Sequence, residues 1–418
     1  MEPRTNRVRE EMTGPPALGK EVMISVKEAL GHIDRFGLSP RTESVSLAEA
    51  QGRVLAEKVM ADRDGPPFDR VAMDGIAIAY DSLKNGAEEW PCEGLQAAGS
   101  PTLRLKSSSS CLEAMTGATL PEGTDTVIPF EHLHLEGEQY RLVKDGVKAG
   151  QNIHVQGQDY HEGETLLEPP RVIRSTEVAV AASVGMTELK VVRPTRLALV
   201  TTGSELVDVE DNPLSHQIRK SNVHASASAL RQRGYTELSL HHLEDDAEST
   251  KQGLEELIEG HDVLILSGGV SKGKLDFVPG ALEACGIEKV FHRIAQKPGK
   301  PLWFGEGRGT IVFACPGNPV SMLVCLERYV LPFLDKSMGK TPHQLYLPSL
   351  KEMKARPNMT LFKTVALKAT AMGTQVIEVK GNGSGDFSHL CEGDGFIEVP
   401  PSDQPWPSAT PFRYWAWT

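Results

Sequence analysis

Apolar residues recur at helical spacing between Ile24 and Phe36, at Ile24, Val26, Ala29, Leu30 and Ile33, and this period predicts an amphipathic helix. A second amphipathic segment is expected around Leu47–Met60 and a third at Ser175–Val184, the latter followed by a short strand at Thr187–Val192. Between the second and third the period changes. After Pro66-Pro67 the chain breaks into short apolar runs, such as Gly75–Tyr80 and Thr126–Phe130, separated by glycine, proline and polar turns as far as Asp159. That pattern describes a small β domain inserted into one discontinuous helical layer.

From Thr195 to Leu334 strand and helix patterns alternate. Leu197–Val200, Thr236–His241, Val263–Leu266 and Thr310–Ala314 read as strands, and Asn222–Arg233, Ala247–Glu259, Phe277–Ala284 and Val320–Phe333 as helices. The order predicts a doubly wound α/β layer around a largely parallel sheet. Beyond Thr341 the chain is strand-like again, at Thr364–Ala369 and Val376–Val379, and ends in the aromatic stretch Trp406–Trp417, read as packing of a final strand. The expected organisation is multidomain α/β plus β. It has a flexible tail over 1–20, a discontinuous helical domain over 21–63 and 160–193, an inserted β domain over 64–159, an α/β domain over 194–340 and a C-terminal β-barrel-like domain over 341–418.

Length agrees with several cores, since 418 residues at about 150 per domain give roughly three. Splitting of the helical layer raises that to four. Charge narrows the partners: 44 basic against 56 acidic residues leave a net −12, which disfavours a nucleic-acid binder built on phosphate neutralisation. Any anion must be held locally. The six cysteines form no C-x-x-C pair and several lie in apolar runs, the pattern of reduced, buried thiols in a cytoplasmic protein. No apolar run approaches the about 20 residues of a membrane span, and Met1–Lys20 lacks the apolar stretch of a secretory signal.

Parallel α/β sheets bind ligands at the carboxyl ends of their strands, so the turns leaving the predicted strands are the candidate sites. Three carry unusual text: T-T-G-S-E at Thr201–Glu205, S-G-G-V-S at Ser267–Ser271 and P-G-N-P at Pro316–Pro319. Glycine lets backbone approach a ligand, and the helix start that follows offers free N–H groups to an anion. Asn318-Pro319 also fits a helix N-cap followed by proline. Singly, each turn is an ordinary strand terminator. Three on one sheet edge, with clustered hydroxyls and carboxylates, point to a phosphate-bearing ligand. Neither G-x-x-x-x-G-K-[ST] nor a strand-linked G-x-G-x-x-G occurs, which removes the main support for P-loop and dinucleotide readings.

Carboxylates and cations accompany these turns. Glu205, Asp245, Asp246 and Asp276 each follow a strand and offer oxygen ligands to a hard cation such as Mg²⁺, although Asp276 serves equally as a helix N-cap and the others as solvated loop residues. Lys297 and Lys300 sit in K-P-G-K-P, where two prolines lower the entropy cost of presenting two ammonium groups to an oxyanion. In the β domain Asp69 and Asp74 flank a turn, and Met115–Ala118 is a second small polar turn.

Together, F-D-x-x-A-M-D-G at Phe68–Gly75, M-T-G-A at Met115–Ala118, G-Q-N-I with a later G-x-D at Gly150–Asp159, T-G-S-E-L at Thr202–Leu206, S-G-G-V-S, K-P-G-K-P and P-G-N-P resemble the MoeA family of molybdopterin molybdenumtransferases. That family is related to the E domain of gephyrin and to its plant counterpart. The likeness runs in the same order from about residue 20 to the end. It implies a discontinuous helical dimer domain, an inserted β domain, an α/β molybdopterin-binding domain and a C-terminal β-barrel. The homodimer it implies has its site between the α/β domain of one chain and the β domain of the other. The implied activity is Mg²⁺-dependent insertion of molybdate into adenylated molybdopterin with release of AMP. Molybdopterin adenylyltransferase and apo-molybdoenzymes are the implied protein partners, with no nucleic acid and no membrane.

Carried over by motif position, the resemblance implies catalytic roles for Asp74, Thr116, Asp159, Glu205, Asp276, Lys297 and Lys300. Thr202, Gly203, Ser267, Gly268, Gly269, Ser271, Pro316, Gly317, Pro319 and Ser384 would bind the pterin substrate, and Glu205, one of Asp245 and Asp246, and Asp276 the metal. The chain also departs from its relatives. Many have arginines and a glutamate where this loop reads H-V-Q-G-Q-D, His154–Asp159, and many have tyrosine where Ile76 stands. An arginine placed early in the C-terminal domain is replaced within Arg356–Met359, which puts an oxyanion contact from there in question and leaves Ser384 or Ser388 for it. Lys272 and Lys274 are expected to compensate for the lost charge. The departures motivate an alternative, a gephyrin-like scaffold or pterin carrier without turnover.

Overall fold

The computed structural model describes residues 23–270, 277–341, 344–386 and 388–417. The expected tail at Met1–Lys20, and Ser271, Lys272, Lys274 and Asp276, lie outside them. Contacts divide the chain into two compact units, Thr42–Val191 and Met1–Arg41 with Val192–Thr418.

In the Thr42–Val191 unit a six-stranded sheet runs in the order Thr126–Pro129, Gly75–Ile78, Cys111–Ala114, Glu89–Gln96, Gln139–Leu142, Leu133–Glu136. Side chains alternate faces along a strand, so Ile76 and Ile78 join a core with Trp90 and Ile128, while Ala77 joins Val71, Ala114 and Val127. Burial on both faces accounts for an apolar run at Gly75–Ile78 with no polar alternation. Gly75 is required there, because a Cβ would lie 2.0 Å from the Ile128 carbonyl oxygen.

The rest of this unit is a four-stranded sheet, Thr42–Ser46, Glu188–Val192, Val54–Leu55, Arg171–Val172, covered by the helix Ser175–Ser183. Leu47–Met60 is therefore not a helix. It contains a turn through Gly52, at φ +79°, and two short strands, Val54–Leu55 and Val59–Met60. Their partners, Arg171–Val172 and Thr165–Leu167, come from beyond the β insertion. Pairing at that sequence distance overrides a local period that mimics a helix. The Val26–Ile33 helix, closed by a Ser25–Glu28 capping box, clusters with the other unit, where Ile24 bridges to Ile294.

The second unit is built on a mixed sheet in the order Leu238–Leu243, Leu197–Thr202, Val263–Ser267, Thr310–Cys315, Trp303–Gly307, Glu288–His292. The first four strands are parallel, as the alternating pattern predicts, and the last two are antiparallel. Its core packs Val200, Leu264, Leu266, Val312 and Ala314 against Leu254, Ile258 and Leu282 of the flanking helices. The C-terminal strands form a further sheet in the order Gln296–Lys297, Thr360–Thr370, Gly395–Val399, Pro411–Ala416, Leu345–Pro348, with Gly373–Glu378 also paired to Thr360–Thr370. It curls until Leu350 N–H donates to the Val376 carbonyl at 2.8 Å. The terminal aromatics are used in packing: Phe412 and Tyr414 are buried, Trp415 stacks on Phe396 and Trp406 meets Phe412 edge-on. Among the described residues no helix is long and apolar enough to cross a membrane.

Candidate functional site

Parallel register brings three strand ends to one level, with Thr201 opposite Ser267 and Ser267 opposite Cys315. The turns after them, at Gly203, Gly268-Gly269 and Pro316-Gly317, open a cleft of about 1440 Å³. Gly268 stands at φ +105°, and a Cβ there would lie 2.8 Å from the carbonyl oxygen of Thr202, so no side chain fits between these turns. Thr202 Oγ1 is buried in the cleft wall against Gly268 and Gly269, without a hydrogen-bond partner among the described residues. Thr202, Gly203, Ser267, Gly268, Gly269, Pro316, Gly317, Pro319 and Ser384 all line the cleft.

One residue that organises it carries no motif. Asn222, half-buried at the start of the helix Ser221–Gln232, donates through Nδ2 to Ser267 Oγ at 2.9 Å and to the Gly317 carbonyl at 2.7 Å. It ties the second turn to the third. Asn318 does occupy the N-cap position before Pro319, but its side chain makes no cap bond. It donates instead to Ser384 Oγ at 2.9 Å, while Val320 N–H takes the Ser384 carbonyl at 3.2 Å. The glycine-rich segment of the C-terminal sheet is thereby fastened to the cleft. Ser388 is bonded to Asp386 at 2.7 Å and does not line it.

The two adjacent aspartates separate. Asp245 lines the cleft and accepts from Ser204 N–H at 3.0 Å. Asp246 caps the helix Ala247–Gly260, accepting from Ser249 N–H at 2.9 Å, and that backbone bond, with the Ser249 hydroxyl, lowers its pKa. Asp246 thus serves as a helix cap and does not line the cleft. Glu205 lines the cleft with its carboxylate folded over Gly203, where a Cβ would stand 2.7 Å from Oε2. Among the described residues no group of three or more His, Cys, Asp or Glu side chains is arranged to hold a metal. The two carboxylates in this lining, Glu205 and Asp245, nonetheless fit Mg²⁺, which takes one or two carboxylates and completes its shell with substrate oxygens and water.

The lysine loop is braced from below. Gln296 is fully buried, donates to the Gly299 carbonyl at 3.0 Å and accepts from the Tyr329 hydroxyl. Gln296–Lys297 also pairs in parallel with Thr360–Leu361, so the loop is an edge of the C-terminal sheet as well as a wall of the cleft. Lys297 and Lys300 are exposed to the cleft. Arg356 and Lys380 face them from the C-terminal sheet, so that domain does offer an arginine. Among the described residues none of these four takes part in an ion pair. Lys363 and Lys220, also in the lining, are paired with Glu378 and Asp208, each at 3.0 Å. A local excess of positive charge results inside an acidic chain.

The remaining predicted residues belong to the Thr42–Val191 unit. Asp74 Oδ1 accepts from both the backbone N–H and the hydroxyl of Thr116, each at 2.7 Å, and these two bonds lower its pKa, the backbone one most. Asp159 accepts from His154 at 2.9 Å, and His154 in turn meets the Arg70 guanidinium at 2.9 Å. Arg70 and His154 lie within two of the sequence motifs at positions given no role, and only the pairing of their strands brings them together.

Residues 24–185 match the family described as MoeA N-terminal region (domain I and II), and residues 198–336 the probable molybdopterin binding domain. The chain is 34% identical over 401 residues to a molybdopterin molybdenumtransferase of Synechocystis, covering 94% of this chain and 100% of the relative. It is 30% identical over 390 residues to one of Staphylococcus epidermidis, covering 91% and 92%. Its structure resembles the solved molybdopterin biosynthesis moeA protein of Pyrococcus horikoshii, with a TM-score of 0.80, 25% identity and coverage of 94% and 100%.

Proposed function

The chain belongs to the molybdopterin molybdenumtransferase family, and on that premise we propose that it inserts molybdate into adenylated molybdopterin, with Mg²⁺ and with release of AMP. The observation that carries the reading is the cleft, in which two lysines on a braced loop, without an ion pair among the described residues, share the lining with glycine turns and carboxylates.

The backbone N–H groups of the Gly203, Gly269 and Gly317 turns, with the hydroxyl of Ser267, hold the substrate phosphates. Lys297 and Lys300 bind molybdate and draw charge from its oxygens, which makes molybdenum a better acceptor for the two dithiolene sulfurs. Glu205 and Asp245 hold Mg²⁺, and the same reading gives Asp276 to the metal and Ser271 to the pterin. Bound Mg²⁺ supplies neutralisation of charge on the departing phosphate. The chain offers position and charge, with no covalent nucleophile. Catalytic roles for Asp74, Thr116 and Asp159, a homodimer, a cytoplasmic location, and exchange with molybdopterin adenylyltransferase and apo-molybdoenzymes complete the proposal.

Purified protein supplied with adenylated molybdopterin, molybdate and Mg²⁺ is expected to activate an apo-molybdoenzyme and release AMP. Failure beside a competent relative overturns the transferase reading. Pterin retained without AMP release would identify a carrier instead.

A further inference from the structure

Arg70 and His154 face one another across the two-stranded ladder of Arg70–Val71 with Ile153–His154, so their side chains share a face. Arg70 Nη2 lies 2.9 Å from His154 Nδ1, and His154 Nε2 lies 2.9 Å from Asp159 Oδ1. A guanidinium only donates, so Nδ1 accepts. The single imidazole proton then sits on Nε2 and is donated to Asp159. The donors then run in one direction, from Arg70 through His154 to Asp159.

The surroundings hold this line in place. Asp159 N–H donates to the Gly65 carbonyl at 2.8 Å. Asp69 accepts from Gln156 N–H at 2.8 Å, and Asp64 from Glu162 N–H at 2.9 Å. His161 lies 3.5 Å from Asp64. His154 is half-buried, which confines its ring between Arg70 and Asp159.

We infer that Arg70 and His154 are positioning residues that set the orientation of the Asp159 carboxylate, through an Arg70 to His154 to Asp159 relay. The inference rests on the role given to Asp159 above.

The two ring nitrogens are replaceable one at a time. His154→Gln keeps a donor near Asp159 and loses the acceptor for Arg70; His154→Asn keeps the acceptor for Arg70 and loses Asp159. The full-length protein is assayed at pH 8 for AMP release from adenylated molybdopterin. His154→Gln should keep kcat within about threefold, while His154→Asn and Arg70→Met lose roughly 10-fold or more, with KM little changed. Nitrogen-15 NMR of histidine-labelled protein, with His154 identified by the Gln variant, should show the proton on Nε2. A proton on Nδ1, or Asn and Met variants that behave as wild type while Asp159→Asn is inactive, overturns the relay and leaves the proposed function standing. An active Asp159→Asn overturns both the relay and the role of Asp159.

Discussion

The Asn222 amide donates to the Gly317 carbonyl oxygen at 2.7 Å. With its second bond, to Ser267 Oγ, it fixes the spacing of two turns whose N–H groups are proposed to hold phosphate. Asn222→Ala removes both donors, and kcat/KM for AMP release is expected to fall by about 10- to 100-fold, the equivalent of one or two hydrogen bonds. Asn222→Asp should be worse, because a carboxylate oxygen then faces a carbonyl oxygen. Equal activity of the two variants would show that the amide does not set this spacing.

Asn222 also shows where sequence reasoning stops. It reads as an ordinary polar residue at a helix start, and only the register of Val263–Ser267 against Thr310–Cys315 brings its two acceptors together. The buried strands at Leu197–Thr202, Val263–Ser267 and Thr310–Cys315 are plain as uninterrupted apolar runs. Trp303–Gly307 and Glu288–His292 are not, since glycines and charged residues at a sheet edge break that signal. Asp245 and Asp246 look identical in the sequence and differ only in which one the following helix uses as its cap.

Tyr329 donates to Gln296 beneath the lysine loop. Tyr329→Phe leaves the Gln296 oxygen buried without that donor, which should cost about 1–3 kcal/mol of stability. The loop that carries Lys297 and Lys300 then loses part of its support. The half-saturating molybdate concentration is expected to rise about 3- to 10-fold, with a parallel loss in urea midpoint. A stability loss with unchanged molybdate dependence would separate the brace from the oxyanion site.

Asp74 holds two donors from Thr116. Thr116→Val removes the hydroxyl and keeps the backbone N–H, so the Asp74 pKa should move up toward its ordinary value while remaining below it. Carbon-13 NMR titration of the side-chain carboxyl measures this without an activity assay. An unmoved titration would mean that the hydroxyl bond is not formed in solution.

Glu177 is a buried carboxylate, 2% exposed, in the first turn of the helix Ser175–Ser183. Arg174 donates to it through Nε at 3.1 Å and Nη2 at 2.9 Å, its backbone N–H does so at 3.0 Å, and Thr176 Oγ1 at 2.9 Å. The Arg174 bonds in particular hold its pKa far below the ordinary 4.5. A carboxylate depressed on folding stabilises the protein above its unfolded pKa and loses that contribution as pH falls from there toward the folded value. Glu177→Gln is therefore expected to cost about 1–2 kcal/mol at pH 7, discounted because Arg174 is largely exposed. The difference between variant and wild type should shrink progressively below pH 4.5, as the unfolded wild-type carboxylate takes up its proton. Urea unfolding at pH 7, 5 and 3.5 reads the gap directly. A gap that stays constant across this range would assign the loss to packing rather than to the ionised carboxylate.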